Sequence, residues 1–324
     1  MNTRSPAAVA LVHLICDDVP MSLRLATRGS NLALWQAERT RQLLGGDAEL
    51  VIVKSSGDRD RVTDLARFGS IGIFTVEVDR KIIDGDADVG VHSMKDMTTT
   101  LQEGVVLAGV LERGVVEDAL VARDGRTLDD LPAGSKIGTG SLRRGAMLRA
   151  ARPDLEVVQL RGNVPTRVTK VLDGEVDAAV LARAGLVRLG LDSHITEVLD
   201  TDRFLPAVGQ GIVGLTCRED DAATIALIAE HARDASAWAA ATAERSFLRA
   251  MKGGCNAPVG GHATITDDRM TLTGRVLSVD GTQIIDGEVS GPLGEAEELG
   301  LRLADDVGGR GGRALVDEAR ASLA

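Results

Sequence analysis

The chain has 324 residues, a length that suits two or three domains with cores of their own. It holds 37 Lys and Arg residues against 48 Asp and Glu residues, and the formal net charge of −11 argues against a strongly basic nucleic-acid-binding protein. Aromatic residues make up 2% of the chain, so few side chains could stack on bases or sugars. Three cysteines, Cys16, Cys217 and Cys255, lack the number and spacing of a disulfide framework or a zinc site and indicate a reducing, cytoplasmic location.

The first twenty residues are set apart from the rest of the chain. Their apolar stretch, residues 7–16, is too short to span a bilayer, and the single arginine before it, Arg4, is not matched by a small-residue cleavage site after it. We therefore expect residues 1–20 to be a disordered extension rather than an export signal. No other segment of the sequence predicts a membrane span.

The residues after Met21 predict a strand and a helix, then a long loop, and then a second helix that leads into a buried strand. Apolar and polar residues alternate over residues 23–27, as in a half-buried strand, and residues 31–44 have the pattern of a helix. Residues 54–72 are polar and punctuated by glycine, which predicts a long surface loop. A second helix over residues 74–83 passes through a glycine turn into a buried strand.

The same order returns in the next stretch of sequence. Residues 136–139 predict a strand, and residues 142–151 predict a helix capped by Ser141. The turn at residues 173–180 resembles the turn at residues 84–91 in its glycine and acidic positions. These echoes predict an α/β fold class with two related lobes, whose sheets are mixed and mostly parallel.

The last third of the chain predicts a return to the first lobe and then a smaller domain. A strand over residues 212–217 and a helix over residues 222–233 come first. A helix over residues 236–252 then precedes three alternating strands and two terminal helices, which is typical of a small α+β domain. The predicted organisation is an N-terminal extension (1–20), a first lobe (21–115 and 212–234), a second lobe (116–211) and a C-terminal α+β domain (235–324).

Arginines cluster where the predicted strands end. Open α/β sheets bind ligands beyond the carboxyl ends of their strands, so two facing lobes predict a cleft. Arginine offers a two-pronged donor that fits carboxylate or phosphate, and helix N-termini add partial positive charge. In an acidic chain without a nucleotide-binding motif, the cluster predicts a ligand with several anionic groups, although any single arginine could instead form a surface ion pair. The six arginines are Arg24, which lies inside the first strand, and Arg28, Arg143, Arg144, Arg161 and Arg167.

Two further features could carry chemistry. Lys95 and Asp96 end a strand of the first lobe, where a carboxylate could stabilise a developing positive charge or move a proton, although a surface turn fits equally well. Cys255 follows two glycines in a loop between a helix and a strand, and glycines let a loop approach a ligand closely. A buried structural thiol is the alternative for Cys255, and Cys217 fits that alternative better because its strand is apolar.

Seven segments, in order from residue 25, resemble the porphobilinogen deaminase (hydroxymethylbilane synthase) family. They are LATRGSNLALWQA (25–37), VHSMKD (91–96), IGTGSLRR (137–144), LRGNVPTR (160–167), LARAGLVRLG (181–190), LPAVGQG (205–211) and GGCNAPVG (253–260). The resemblance implies a transferase of porphyrin and haem biosynthesis that joins four porphobilinogen molecules head to tail, releases ammonia and yields hydroxymethylbilane. It also implies lobes like those of periplasmic binding proteins, and a cytoplasmic monomer without a nucleic-acid or membrane partner.

The resemblance further implies a dipyrromethane cofactor, joined by a thioether to Cys255. Asp96 would be the catalytic carboxylate, with Lys95 beside it. Porphobilinogen carries an acetate and a propionate, so each added ring brings two carboxylates for arginines to bind. At Gly140 this chain departs from the family, in which Ser or Thr is common. The implied cofactor-binding residues are Lys95, Asp96, Thr139, Gly140, Ser141, Arg143, Arg144, Arg167 and Cys255, and the implied substrate-binding residues are Arg24, Arg28, Ser30, Arg161, Arg167 and Gln210.

Two other functions fit part of the sequence. An anion-binding protein with two lobes and no catalysis would explain the lobes and the arginines, but it leaves the Gly-Gly-Cys loop unexplained. A regulatory ligand-sensing domain would need a DNA-binding partner domain, and no helix-turn-helix pattern precedes Met21.

Overall fold

The computed structural model of the protein describes residues 22–53, 75–254 and 257–322. Three sequence predictions lie outside the described residues: the extension at 1–20, the loop at 54–72 and the placement of Cys255. In chain order the elements are β1 (Arg24–Arg28), α1 (Asn31–Leu43), β2 (Glu49–Val53), α2 (Val76–Ile83), β3 (Val89–Ser93), β4 (Val105–Val110), β5 (Asp118–Ala122), β6 (Lys136–Thr139), α3 (Leu142–Ala151), β7 (Glu156–Gln159), α4 (Val164–Leu172), β8 (Ala178–Ala182), α5 (Arg183–Arg188), β9 (Glu197–Val198), β10 (Val213–Arg218), α6 (Ala222–His231), α7 (Ala235–Ala250), β11 (Val259–Thr266), β12 (Arg269–Leu277), β13 (Ile284–Pro292), α8 (Ala296–Val307) and α9 (Arg313–Ala321).

The two lobes have sheets of the same design. The first sheet has the strand order β2-β1-β3-β10-β4, and the second has the order β7-β6-β8-β5-β9. In each sheet three neighbouring strands are parallel, and the fourth runs against both of its neighbours. Four strands of each sheet therefore point the same way, and the predicted α/β class with mixed, mostly parallel sheets is confirmed.

The reversed strand of each sheet is reached by a chain segment that crosses over from the other lobe. Strand β5 of the second lobe follows β4 of the first lobe, and β10 of the first lobe follows β9 of the second. The chain thus passes between the lobes twice, through residues 111–117 and residues 199–212. A hydrogen bond from Gly114 N to Gly211 O (3.1 Å) joins the two crossovers, and Leu111 N donates to Val213 O (3.0 Å) where the second crossover enters β10.

Side-chain caps and apolar faces set the limits of the helices. The first helix of each lobe starts where a serine accepts a hydrogen bond from the third helical N–H, at Ser30 for α1 and at Ser141 for α3. Such a cap contributes about 1 kcal/mol. In the second lobe, Met147 and Leu148 of α3 pack with Ile137 of the sheet in one buried core, so the sheet fixes where this helix lies.

The third domain is a three-stranded antiparallel sheet, β11-β12-β13, covered by α7 and α8. Glu244 of α7 joins it to the lobes, because this buried carboxylate accepts from Gly209 N (2.7 Å) of the second crossover and from Ala263 N (2.8 Å) of β11. A second junction lies at the β12–β13 turn. There Gly281 adopts φ +76°, and a Cβ on it would lie 2.5 Å from Ala146 O of α3. No helix among the described residues is long and apolar enough to cross a membrane.

Candidate active site

The edge of each lobe that carries the strand ends also carries most of the residues singled out in the sequence. In the first lobe β1 ends at Arg28, and β3 ends at Ser93 before a 3-10 turn at Met94–Asp96. In the second lobe β6 ends at Thr139, and the reversed strand β5 begins at the same edge, where Asp118 pairs with Ala182. The parallel strands end, and the reversed strand begins, at the same edge of each sheet, so these positions lie together at that edge.

The Met94–Asp96 turn is anchored from behind. Met94 is buried, its N–H donates to Ile212 O (3.0 Å), and its carbonyl accepts from Met97 N (3.1 Å). Gly209 is pressed against it, since a Cβ there would lie 2.4 Å from Met94 Cγ. Lys95 and Asp96 at the front of this turn are only partly buried. The turn therefore holds one cation and one carboxylate side by side on a fixed support.

Asp118 is the centre of a buried hydrogen-bond network in the second lobe. Its carboxylate accepts from Arg143 Nη2 (2.7 Å), Arg144 Nη2 (2.8 Å) and Gln210 Nε2 (2.8 Å). Burial alone would raise the pKa of Asp118, but the two guanidinium groups outweigh it and hold this pKa well below its usual range. Asp118 therefore stays ionised and fixes both arginines at the start of α3.

Donor groups remain available on these arginines. The Nε atoms of Arg143 and Arg144 are buried without a hydrogen-bond partner among the described residues. Buried donors of this kind are uncommon and call for a partner. Arg143 also donates Nη1 to Leu205 O (2.5 Å), so most of its donors serve the fold. Arg144 is thus the member of the pair with more hydrogen-bonding capacity left for a ligand.

Charged groups of the two lobes act on one another at the Asp96 turn. Burial and, to a smaller extent, the charge of Arg144 lower the pKa of Lys95 to about 8, with the charge of Asp96 opposing both effects. Burial and the charge of Arg144 likewise lower the pKa of Arg167 to about 10, and the charge of Asp96 again opposes them. The charges of Asp96 and Arg144 therefore act on both Lys95 and Arg167, which lie in different lobes.

Comparison with known sequences shows which family the chain belongs to. The chain matches the family model for the "Porphobilinogen deaminase, dipyromethane cofactor binding domain" over residues 23–226, and the model for the "Porphobilinogen deaminase, C-terminal domain" over residues 238–308. It is 44% identical to the porphobilinogen deaminase of Trichlorobacter lovleyi over 92% of this chain and 97% of that protein. It is 42% identical to the porphobilinogen deaminase of Geobacter sulfurreducens over 91% of this chain and 94% of that protein.

The chain belongs to the porphobilinogen deaminase family. Among solved structures, a periplasmic binding protein of Salmonella typhimurium aligns with a TM-score of 0.39 and 15% identity, over 65% of this chain and 91% of that chain. The fold assignment given above rests on this chain's own sheets.

The cleft suits the dipyrromethane cofactor that the family's first domain binds. Such a group has an acetate and a propionate on each ring, so it needs several cations at close range. Lys95, Arg144 and Arg167 supply them, and Arg144 Nε is a buried donor without a hydrogen-bond partner among the residues that the structure describes. Gly140 lies beside them, since a Cβ on it would lie 3.3 Å from Leu160 O and 4.0 Å from Arg167 Nη2, so a larger residue would be crowded there. The donor set therefore fits a polycarboxylate.

The other predicted residues of this family site lie at the same edges. Ser30 caps α1 by accepting from Ala33 N (3.3 Å), and Ser141 caps α3 by accepting from Arg144 N (3.4 Å). Thr139 supports the second cap, since its hydroxyl accepts from Ser141 N (3.2 Å). Arg28 is the last residue of β1, and Arg161 follows β7.

Arg24 does not join this group, which corrects the expectation from the sequence. It is the first residue of β1, so it lies at the opposite edge of the sheet from Arg28. Its guanidinium binds Asp88 through Nε (3.2 Å) and Nη2 (2.9 Å), and its backbone N–H donates to the same carboxylate. Arg24 therefore forms an ion pair at the far edge of the sheet and is not part of the cleft.

Gln210 is placed beside the site, but its amide is already engaged. Its Nε2 donates to Val116 O (2.7 Å) and to Asp118, while its Oε1 accepts from Arg144 Nη2 (3.3 Å). Gln210 thus orients Arg144 rather than facing a substrate with free groups. The Gly-Gln-Gly motif of the sequence fits this role, because it lets the crossover turn tightly behind the site.

The sequence analysis missed one residue of the candidate site, Asp118, and one that supports its surroundings, Arg188. Asp118 stands at the start of an apolar strand, and only the contact with Arg143 and Arg144 shows its role. Arg188 ends α5, donates to Gly211 O (2.6 Å) and lies over the Trp35 ring at 5.0 Å, so it links the second lobe to the crossover and to α1 of the first lobe. Arg188 is within the quoted LARAGLVRLG segment, which was a signal for it.

Proposed function

We infer that this chain is a hydroxymethylbilane synthase, a transferase of porphyrin biosynthesis. It condenses four porphobilinogen molecules head to tail, releases ammonia and forms hydroxymethylbilane on a covalently attached dipyrromethane cofactor. One observation carries the inference. In a member of this family, the Asp96 carboxylate lies in the turn after β3, and its charge acts on the cations Lys95 and Arg167. An anion-binding protein without catalysis would have no need for that carboxylate among its cations.

The Asp96 carboxylate is the catalytic group in this proposal. Positive charge develops on porphobilinogen as its amine leaves, and an ionised carboxylate fixed near the pyrrole N–H stabilises that charge. The anchored turn at Met94–Asp96 supports this role, because a group that is already in place needs no reorganisation during the reaction. Lys95 is proposed to bind a carboxylate of the cofactor and to balance the charge of Asp96.

The cofactor is proposed to be attached through Cys255, which lies outside the described residues. When bound, dipyrromethane supplies a pyrrole ring that is nucleophilic at its free carbon. The residues proposed to hold its carboxylates are Lys95, Thr139, Gly140, Ser141, Arg144 and Arg167, with Asp96 at its pyrrole nitrogens. Arg143 and Gln210 are assigned to holding Arg144 in place, and they act together with Asp118.

The substrate carboxylates are proposed to bind at the remaining strand and helix ends. Arg28 and Ser30 offer a guanidinium and a capped helix N-terminus in the first lobe. Arg161 and Arg167 offer the same at the start of α4 in the second lobe. The assignment places binding groups on both sides of Asp96.

The remaining proposals concern organisation and location. We propose the boundaries given from the sequence, with lobes at 21–115 plus 212–234 and at 116–211, and a C-terminal domain at 235–324. A monomer is proposed because one copy supplies both walls of the cleft. A cytoplasmic location is proposed because Cys255 must stay a reduced thiol to accept the cofactor. No nucleic-acid partner is proposed, in keeping with the net charge of −11.

The experiment that tests the function is intact-mass measurement of the purified chain beside a Cys255→Ala variant. We expect a mass excess of two linked pyrrole units in the wild type and none in the variant. Added porphobilinogen should extend that mass and release ammonia. A chain that binds porphobilinogen without gaining mass or releasing ammonia would be a binding protein, and the proposed function would be wrong.

A further inference from the structure

Helix α7 of the third domain packs directly against the catalytic turn of the first lobe. Its Ala237, Ala241 and Trp238 lie in one apolar cluster with Met94 and Met97, the two methionines that flank Lys95 and Asp96. The helix begins at the Asp234 cap, whose own N–H donates to Val110 O (2.9 Å) at the end of β4. The first half of α7 is thus attached to the lobe that holds Asp96.

The second half of α7 belongs to the third domain. Phe247, Leu248 and Met251 are buried in the core of that domain, and the helix ends at Ala250. Residues 251–254 lead from there to Cys255, the proposed attachment residue. A single helix therefore connects the support of Asp96 to the start of the loop that is proposed to carry the growing chain.

Arg245, between these two halves, makes an unusual set of contacts. Its Nη2 donates to the carbonyls of Thr98 (2.8 Å) and Thr99 (3.3 Å), which come two and three residues after Asp96. Burial and, to a smaller extent, the charge of Arg249 lower the pKa of Arg245 to about 10. In the part of the chain that the structure describes, no carboxylate forms an ion pair with it, so its hydrogen bonds all go to this loop.

The loop that receives Arg245 is held at its far end, where Gln102 Nε2 donates to Val76 O (3.1 Å) and Gly104 O accepts from Glu219 N (3.0 Å), and is held less at its start. Residues 97–104 form neither helix nor strand. The other bonds at its start are the one from Met97 N to Met94 O (3.1 Å) and one from Thr98 Oγ1 to Thr100 O (2.6 Å), both local. The bonds from Arg245 come instead from another domain. A planar guanidinium can donate hydrogen bonds to two adjacent carbonyls, and an apolar side chain of similar volume, such as Met, can donate none.

We propose that Arg245 is a positioning residue for the condensation reaction: it holds the segment after Asp96 against α7, so that the catalytic carboxylate keeps a fixed place relative to the chain carried by the third domain. The inference rests on the proposed function. Substrate affinity depends on the arginines of the two lobes, whereas turnover depends on where Asp96 lies. Loss of Arg245 should therefore lower kcat and leave KM nearly unchanged.

The test compares Arg245→Met, which keeps the volume, with Arg245→Lys, which keeps a charged donor. The matched control is Arg249→Gln, because Arg249 is one turn further along α7, exposed and paired with Glu297 (2.6 Å). Rates are expressed per molecule that carries the cofactor by intact mass. We expect kcat of R245M to fall about 10- to 100-fold with KM within about threefold of wild type, R245K to lie between them, and R249Q to match wild type.

A double-mutant cycle with Asp96→Glu separates positioning from general damage. If Arg245 acts through Asp96, the effect of R245M on kcat should shrink to within about twofold when Glu already displaces the carboxylate. Where R245M yields no cofactor-bearing protein, R245K is carried through the same cycle. Additive losses, or equal kcat in R245M and R249Q, would overturn the inference while leaving the proposed function intact. Absence of porphobilinogen turnover in the wild type would instead remove the proposed function.

Discussion

The two lobes share a strand order and differ in what their reversed strands bring to the cleft. In the second lobe the reversed strand β5 begins with Asp118, a buried carboxylate. In the first lobe the corresponding strand β10 begins with Val213, an apolar residue opposite Ser93. A carboxylate at that position allows the second lobe to hold Arg143 and Arg144 fully buried, because each buried cation has a partner.

The difference assigns separate tasks to the lobes. The second lobe presents cations locked in place before any ligand arrives, which favours binding of carboxylates. The first lobe presents Asp96 on a turn supported by Met94, which favours stabilisation of positive charge as it develops. In the proposed reaction the second lobe thus supplies the preformed pair of buried cations and the first lobe supplies the catalytic carboxylate, beside the binding groups Lys95, Arg28 and Ser30.

The largest effect should come from removing the charge of Asp96. Asp96→Asn keeps the shape but loses the negative charge, so kcat should fall about 10²- to 10³-fold with little change in KM. Steady-state kinetics with porphobilinogen measure this, and Asp96→Glu is the control that retains the charge. An Asn variant with near-normal turnover would contradict the role of a charged carboxylate and the division between the lobes.

Removing the Asp118 charge should damage the binding lobe instead. Asp118→Asn leaves two buried guanidinium groups without their counter-ion, so we expect a loss of about 3 kcal/mol in the free energy of unfolding. KM should rise about 10-fold because Arg144 is no longer fixed. The matched control is Asp88→Asn, which breaks a similar pair with the half-exposed Arg24 at the far edge and should cost at most about 1 kcal/mol with KM unchanged. Equal effects of the two variants would show that the cleft pair has no special role.

The stability that Asp118 contributes also has a defined pH range. Its pKa is lowered in the folded chain from about 3.9 in the unfolded chain, so the folded state favours the ionised form. Its contribution is therefore fully present above about pH 4 and is lost as the pH falls through the folded pKa. Unfolding curves of wild type and D118N should converge in acid, and a constant gap between them would contradict this linkage.

Lys95 tests whether the division between the lobes is complete. With a pKa of about 8, its amine is mostly charged at pH 7 and mostly neutral above pH 9. Chain produced without porphobilinogen should therefore gain cofactor mass more slowly as the pH rises through 8. Lys95→Met should be about 10-fold slower at pH 7 and should not show that decline. Lys81→Met, at an exposed pair with Asp86, is the control expected to behave as wild type; a decline that persists in K95M would exclude Lys95 as its cause.

Much of the fold could be predicted because its signals are local. The helix over residues 142–151 and the strand over residues 136–139 agree with the structure residue by residue, since a capping serine and a following Pro153 mark their limits. Helix α7 ends two residues earlier than predicted, at Ala250. Lys252 there adopts φ +54°, a left-handed conformation that cannot continue a helix.

The site was predicted less completely because its partners are distant in sequence. Arg24 pairs with Asp88 across 64 residues, and no local pattern shows which edge of the sheet this pair occupies. The contact between Asp118 and Arg143 spans 25 residues and depends on β5 joining the second sheet after a crossover. The family resemblance placed Asp96 and Arg144 at the cleft, but only the geometry separates Arg144, with spare donors, from Arg143.

The smallest effect should come from the buried core beneath β3, the strand that leads into the Met94–Asp96 turn. His92 Nε2 lies 2.9 Å from Asp79 Oδ1 and 3.0 Å from Thr216 Oγ1, and the threonine hydroxyl donates to the same carboxylate oxygen (2.9 Å), all of them buried. Thr216→Val keeps the shape but removes this donor, so the free energy of unfolding should fall by about 1–2 kcal/mol. Because His92 still contacts Asp79 and β3 keeps its place, kcat should change less than about twofold, which is close to the smallest difference that such kinetics resolve. Thr264→Val on the exposed face of β11 serves as the control and should cost under about 0.5 kcal/mol in thermal unfolding. A large loss of kcat in T216V would show that this buried cluster also sets the position of Asp96, and the chemistry of the first lobe would then extend into its core.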